Sequence, residues 1–236
     1  MPHRGFVSRY VRAVLDKDRQ KAQSLILDLA RSKDNMTQIF DVIAEAQMEI
    51  GKLWARNVIS VADEHFATQV ALDTIAIVAN QFRSRRAPPS RERTGNTLLL
   101  SCVEGEYHYV GLKMFAEILA NYGWNVQFLG PSVPLAEVLK SVRARGKPVD
   151  LVCLSITMSF NMSILTDTIK QLRREPLLSG AKIVVGGSLF KSRKLRESLT
   201  REYGKVRLAD YVSTSLADGL QYASGLASLN PPLVEA

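Results

Sequence analysis

From Thr97 onward, short apolar runs alternate with longer amphipathic ones, and this alternation constrains the fold more than any other feature of the sequence. "TLLLSCV", "NVQFLG", "DLVCLSI", "KIVVGG" and the shorter "ADYVST" read as strands. "HYVGLKMFAEILANYG", "PLAEVLKSVRARG", "SILTDTIKQLRR", "SRKLRESLTREYG" and "LADGLQYASGLASL" read as helices. Strands that are apolar at almost every position are buried on both faces, the condition of a parallel sheet with helices on either side. The count and order predict a doubly wound, flavodoxin-like five-stranded parallel sheet over residues 97–236.

The first 86 residues follow a different period. Phe6, Tyr10, Val11 and Val14 recur at three and four residues, the spacing of an amphipathic helix, and "DRQKAQSLILDLARS" continues as a second. A third helix, "MTQIFDVIAEAQMEIGKLWARN", places Ile39, Val42, Ile43, Ala46, Ile50 and Trp54 on one stripe. The fourth, "SVADEHFATQVALDTIAIVANQF", opens on Ser60 as N-cap, with Asp63 where a capping box ordinarily has Glu. Four helices with short links predict an N-terminal four-helix bundle. The Pro- and Arg-rich "RRAPPSRERTGN" sets the boundary, giving a bundle at 1–86, a linker at 87–96 and the sheet domain beyond.

Composition removes several classes. No apolar run approaches the roughly 18 residues of a membrane span, and the start lacks a secretory signal, so the expected location is cytoplasmic. Cys102 and Cys153 both fall within apolar strand segments, where buried thiols are expected rather than a disulfide or metal pair. The net charge of +8 divides almost evenly between the two halves. Direct DNA contact through "FRSRRAPPSRER" or "KSRKLR" is therefore a lesser expectation than a solvated basic surface.

In open parallel sheets ligands bind beyond the carboxyl ends of the strands. "EGEYHYVG" follows the first strand, "SITMSFN" the third and "GGS" the fourth, so these loops outline one site. Ser155 and Ile156 stand where a response regulator needs an Asp, and no G-x-G-x-x-G opens the first helix. Tyr107-His108-Tyr109 is too bulky for a phosphate-cradling flavin loop. The first loop does suit axial metal coordination. Imidazole is a good transition-metal ligand, and Glu106, two residues away, can take the other ring N–H and fix the tautomer. Gly111 would let a large flat ligand approach the helix start. An exposed His and Glu without any ligand is the plainer reading of this loop taken alone.

Glu106-x-His108-x-x-Gly111 resembles the D/E-x-H-x-x-G motif of cobalamin-binding domains, over a stretch of resemblance that runs from 97 to 227. The resemblance implies that His108 binds cobalt from below in place of the cofactor's own base. Ser155-Ile-Thr157 is similar to the family's S-x-L or S-x-T element, and Gly186-Gly187 to its paired glycines. These elements imply a slot for the displaced nucleotide tail, lined by Ser155, Thr157, Gly186 and Gly187.

The helical half resembles the cap found over the corrin in methionine synthase and in light-sensing regulators. Trp54, nine residues, then Glu64-His65 is similar to the W-x9-E-H signature of adenosylcobalamin photoreceptors of the CarH type. That resemblance implies that Trp54, Val61, Glu64 and His65 surround an adenosyl group. On its own, a Trp on an apolar helix stripe is ordinarily a core residue. The photoreceptors usually carry a second His after the Trp, where this chain has Ala55; His65 is the remaining candidate for an upper cobalt ligand. They also carry an N-terminal DNA-binding domain, and here the sequence opens on the bundle. The implied function is a stand-alone, non-enzymatic cobalamin sensor holding adenosyl- or hydroxocobalamin. It would act through self-association or a partner transcription regulator, as in the AerR and PpaA group. The alternative is a corrinoid methyl carrier serving a methyltransferase; a bilin- or haem-binding sensor is a weaker rival.

Overall fold

The computed structural model describes residues 3–85, 95–203 and 206–227. The chain divides into two compact units, residues 1–90 and 91–236. The expected linker lies largely outside the described residues.

The first unit is the expected bundle. Helices α1 (His3–Leu15), α2 (Arg19–Arg31), α3 (Met36–Ala55) and α4 (Val61–Arg85) pack with α1 against α2 and α3, and with α4 against α2 and α3. The starts of α2 and α3 are set by side-chain caps. Asp18 accepts from the Lys21 N–H at 3.0 Å and Asn35 from that of Thr37 at 2.8 Å, each satisfying an orphan donor of the first turn. Ile39, Phe40, Val42, Ile43, Ala46 and Ile50 of α3 are buried, but Trp54 is 46% exposed. Trp54 thus leaves the stripe on which the spacing placed it. At 100° per residue it lies about 40° around the helix from Ile50, toward Gly51.

The α3–α4 turn is built from two interlocking caps. Asn57 adopts φ +56, its N–H reaches the Trp54 carbonyl at 2.8 Å, and the Val58 N–H reaches that of Leu53 at 2.9 Å. This pairing of bonds is a Schellman stop. Three residues on, Asp63 accepts from the Ser60 N–H at 2.9 Å while the Asp63 N–H donates to Ser60 Oγ at 3.2 Å. The capping box therefore closes with Asp in place of Glu. Lys17, from the α1–α2 turn, forms an ion pair with Asp63. That pair comes first among the causes, with the Ser60 bonds, that hold the Asp63 carboxyl well below the usual carboxylate range.

The second unit is the expected flavodoxin-like sheet. Strands β1 (Thr97–Cys102), β2 (Asn125–Gly130), β3 (Leu151–Ser155) and β4 (Lys182–Gly186) alternate with α5 (Val110–Asn121), α6 (Leu135–Arg145), α7 (Met162–Leu172) and α8 (Arg193–Thr200). A short antiparallel pair follows, β5 (Glu202–Tyr203) with β6 (Val206–Arg207), then β7 (Tyr211–Val212) and α9 (Leu216–Ala227). The main sheet has the order β2-β1-β3-β4-β7 and is parallel throughout. All residues of β1 and β3 are buried, as a central parallel strand requires. One reading is corrected. "SRKLRESLTREYG" is not one helix: α8 stops at Thr200, Arg201 turns extended, and the next residues pair as strand.

Both cysteines are buried and free, as expected. No helix among the described residues is long and apolar enough to cross a membrane.

Candidate functional site

At the carboxyl edge of the sheet, β1 ends at Cys102 and the chain crosses to α5 through the segment that carries Glu106 and His108. Glu106 is fully buried. Its Oε1 accepts the His108 N–H at 3.0 Å and stands 2.5 Å from His108 Nδ1. Its Oε2 accepts the N–H groups of Thr157 at 2.6 Å and Met158 at 3.1 Å. Burial pushes the carboxyl up, but the bonds from His108, Thr157 and Met158 outweigh it and hold Glu106 at about 2. A carboxylate only accepts, so Nδ1 carries the proton and Nε2 is the basic nitrogen of the ring. The His108 side chain is 55% exposed. Cys102, whose Sγ lies 3.9 Å from the His108 carbonyl, is buried, and burial first and then the Glu106 charge push its thiol up to about 12.

The sheet register aligns the other expected residues. Cys102 pairs with Ser155 and Ser155 with Gly186, so the third and fourth strand ends stand in one row beside the His108 loop. The Ile156 N–H donates to the Gly186 carbonyl at 3.0 Å, continuing the ladder one residue further. The two glycines differ in what they do. Gly187 has φ +131, and a Cβ there would run into the Ile156 carbonyl, so the backbone itself demands glycine. A Cβ on Gly186 would meet only Ser213 Cβ, at 4.0 Å, and one on Gly111 would meet nothing within 4 Å. Gly186 and Gly111 are therefore open space at the rim.

Three residues of this edge escaped the sequence reading. Ser213, next after β7, is buried and donates through Oγ to the Ser215 carbonyl at 2.7 Å. Ser132 and Asn161 both bond the backbone of the His108 loop. The hydroxyls after "ADYV" lay in plain view at a strand end and could have flagged Ser213. Asn161 closes the "SITMSFN" loop already placed at the site, but its partner, like that of Ser132, is distant in the chain and the local sequence could not name it.

In the helical unit, Trp54 ends α3 while Val61, Glu64 and His65 open α4, all on the doubly capped turn. Trp54 and Val61 are exposed. Glu64 Oε2 stands 2.7 Å from His65 Nδ1, and Glu64 Oε1 accepts from Thr68 Oγ1 at 2.9 Å. The His65 side chain is 75% exposed. The arrangement repeats that of Glu106 and His108, with a carboxylate on Nδ1 and the ring turned outward.

A single oriented imidazole suits a metal that arrives already held in a plane by a macrocycle, and the space at Gly111 and Gly186 suits a ligand that lies close to backbone. Fold and edge together are compatible with a corrinoid. Family models agree. One for the B12 binding domain matches residues 96–208 and a second, also described as a B12 binding domain, matches residues 7–78. The chain belongs to the cobalamin-binding domain family, and its cofactor is cobalamin.

Among curated proteins it is similar to the HTH-type transcriptional repressor CarH of Myxococcus xanthus, at 30% identity over 152 residues, 64% of this chain and 47% of that one. It is also similar to dimethylamine corrinoid protein 3 of Methanosarcina acetivorans, at 27% identity over 101 residues, 43% of this chain and 46% of the relative. The chain spans about half the length of these two relatives. The solved structure of the Methanosarcina barkeri monomethylamine corrinoid protein superposes with a TM-score of 0.72 at 17% identity, over 92% of this chain and 96% of that chain. At that identity the likeness is one of fold.

Proposed function

We propose that this cobalamin-binding protein is a non-enzymatic sensor, responsive to light through adenosylcobalamin, which acts by changing its association with itself or with a transcription regulator. The observation that carries the reading is the exposed set on the α3–α4 turn. Trp54 and Val61 stand open to solvent beside a Glu64–His65 pair that is already hydrogen-bonded. An exposed indole beside an ordered polar pair suits a ligand with both a flat face and hydrogen-bonding groups, such as adenosyl. Similarity to the Myxococcus repressor supports the same reading.

In this proposal His108 is the lower cobalt ligand and Glu106 fixes its tautomer. Ser155, Thr157, Gly186 and Gly187 line the slot of the nucleotide tail, and Gly111 keeps the helix start clear. Cobalamin supplies a cobalt–carbon bond that light can break. His65, its Nδ1 engaged by Glu64, would be the residue of this turn able to hold cobalt, through Nε2. Absorption spectra of the protein loaded with adenosyl-, methyl- and hydroxocobalamin, in darkness and after illumination, test the reading; spectra indifferent to light would overturn it.

A corrinoid methyl carrier is the second reading. It is favoured by the similarity to dimethylamine corrinoid proteins of Methanosarcina. Rapid methyl transfer from bound methylcobalamin to a thiol or amine acceptor, with a methyltransferase present, would decide for it.

A further inference from the structure

We propose that Ser132 and Asn161 are positioning residues for His108, clasping the backbone just ahead of it and so setting where the imidazole stands. The proposal rests on His108 being the cobalt ligand. The Gly105 N–H donates to Ser132 Oγ at 3.0 Å, and the Ser132 N–H donates back to the Glu106 carbonyl at 2.9 Å. On the opposite flank the Asn161 side-chain amide donates to the Gly105 carbonyl at 3.3 Å. Loops following β1, β2 and β3 therefore converge on two consecutive residues, Gly105 and Glu106.

Each anchor is held in a state that costs stability. Ser132 has φ +49, a left-handed conformation disfavoured for a residue with a Cβ. Asn161 is 2% exposed within a 3-10 turn (Ser159–Asn161), and a polar side chain so buried needs partners. Gly105 itself has φ +78, and a Cβ there would stand 3.3 Å from Asn161 Oδ1, so the clasp closes on a residue that must be small. Strain and polar burial gathered around one loop are the marks of a segment held for its position. The Glu106 carboxylate anchors the loop at its side chain, and the Glu106 N–H closes a local turn onto the Val103 carbonyl at 3.0 Å. Bonds to Gly105 N–H, Gly105 C=O and Glu106 C=O tie that turn to the loops on either side of it. An imidazole already held in place loses less freedom when it takes a metal.

The experiment uses aquocobinamide, which has no base of its own, so the spectral signature of imidazole on cobalt reports the protein's histidine. In the full chain, Ser132→Gly removes the hydroxyl while suiting the positive φ, and Asn161→Ala removes the amide. Each is expected to lower the histidine-bound fraction several-fold, the scale of one lost hydrogen bond, and the double variant to lower it further. Amide hydrogen exchange of residues 105–108 in the cofactor-free protein should rise in parallel, with global unfolding little changed. A Ser132→Gly protein that folds and keeps the parental cobinamide spectrum overturns the proposal, whatever its exchange rates. An unaltered spectrum in His108→Ala overturns the ligand assignment instead, an outcome the clasp variants do not produce.

Discussion

Glu106 joins two loops through one carboxylate: its Oε1 lies 2.5 Å from His108 Nδ1 and its Oε2 2.6 Å from the Thr157 N–H. Orienting the ring and tying the β1 loop to the β3 loop are thus the same interaction. His108→Ala is expected to abolish the spectral signature of histidine coordination in bound cobalamin. Glu106→Gln is not the mild change that tautomer control alone would make it. An amide has one acceptor oxygen, so its NH2 must face either the His108 donors or the N–H groups of Thr157 and Met158. Leaving buried donors unmatched costs about 1–3 kcal/mol. Thermal unfolding of cofactor-free protein should therefore show a loss for Glu106→Gln, and also one for His108→Ala, which takes from the buried carboxylate the first of the bonds that offset its burial.

The paired glycines separate into two predictions. Gly186→Leu adds volume where a Cβ meets only Ser213 at 4.0 Å, so the protein should fold. If the space belongs to the nucleotide tail, affinity for complete cobalamin drops about tenfold or more while cobinamide, lacking the base, is little affected. Equal losses for both ligands would remove the slot from this position. Gly187→Ala, by contrast, places Cβ against the Ile156 carbonyl at φ +131. It should destabilise the cofactor-free protein by about 1–3 kcal/mol, measured by denaturant unfolding.

Strand order and the identity of the loop bearing His108 were legible because parallel strands are apolar throughout and active edges lie at their carboxyl ends. The Ser60–Asp63 box was legible because both partners are local. Trp54 was misplaced on the core stripe because the residue type and its spacing are the same for a core residue and for one turned outward. The bonds made by Ser132 and Asn161 were invisible for a different reason. Gly105 is 27 residues from Ser132 and 56 from Asn161, and only the folded sheet brings them together.

The α3–α4 turn should respond to acid in one direction. The Lys17 ion pair and the Ser60 bonds depress the Asp63 pKa in the folded state. Its contribution is then fully present above the ordinary carboxylate value and is lost as pH falls through the depressed one. Asp63→Asn should flatten that part of the acid-stability profile, followed by circular dichroism. Ser60→Ala removes the other half of the box and should cost about 1 kcal/mol at neutral pH.

The last prediction concerns the light response. Trp54 is 46% exposed and the His65 side chain 75%, each on an ordered turn. A bound adenosyl group that covers the indole and bonds Glu64 would stabilise whichever arrangement of the protein makes those contacts. A ligand shifts an equilibrium only by its differential affinity for the two states, and a tenfold difference corresponds to about 1.4 kcal/mol. Cleavage of the cobalt–carbon bond removes that preference. Illumination of the adenosylcobalamin form is therefore expected to change its elution in size-exclusion chromatography, or its affinity for a regulator added to the column. Trp54→Ala should shrink the difference between dark and light by weakening the dark state. His65→Ala should weaken the dark state as well, because Glu64 loses its 2.7 Å partner, and should in addition alter the illuminated spectrum if His65 Nε2 would hold cobalt there. Identical dark and light profiles for the parental protein, together with fast methyl transfer from bound methylcobalamin, would decide for the methyl carrier.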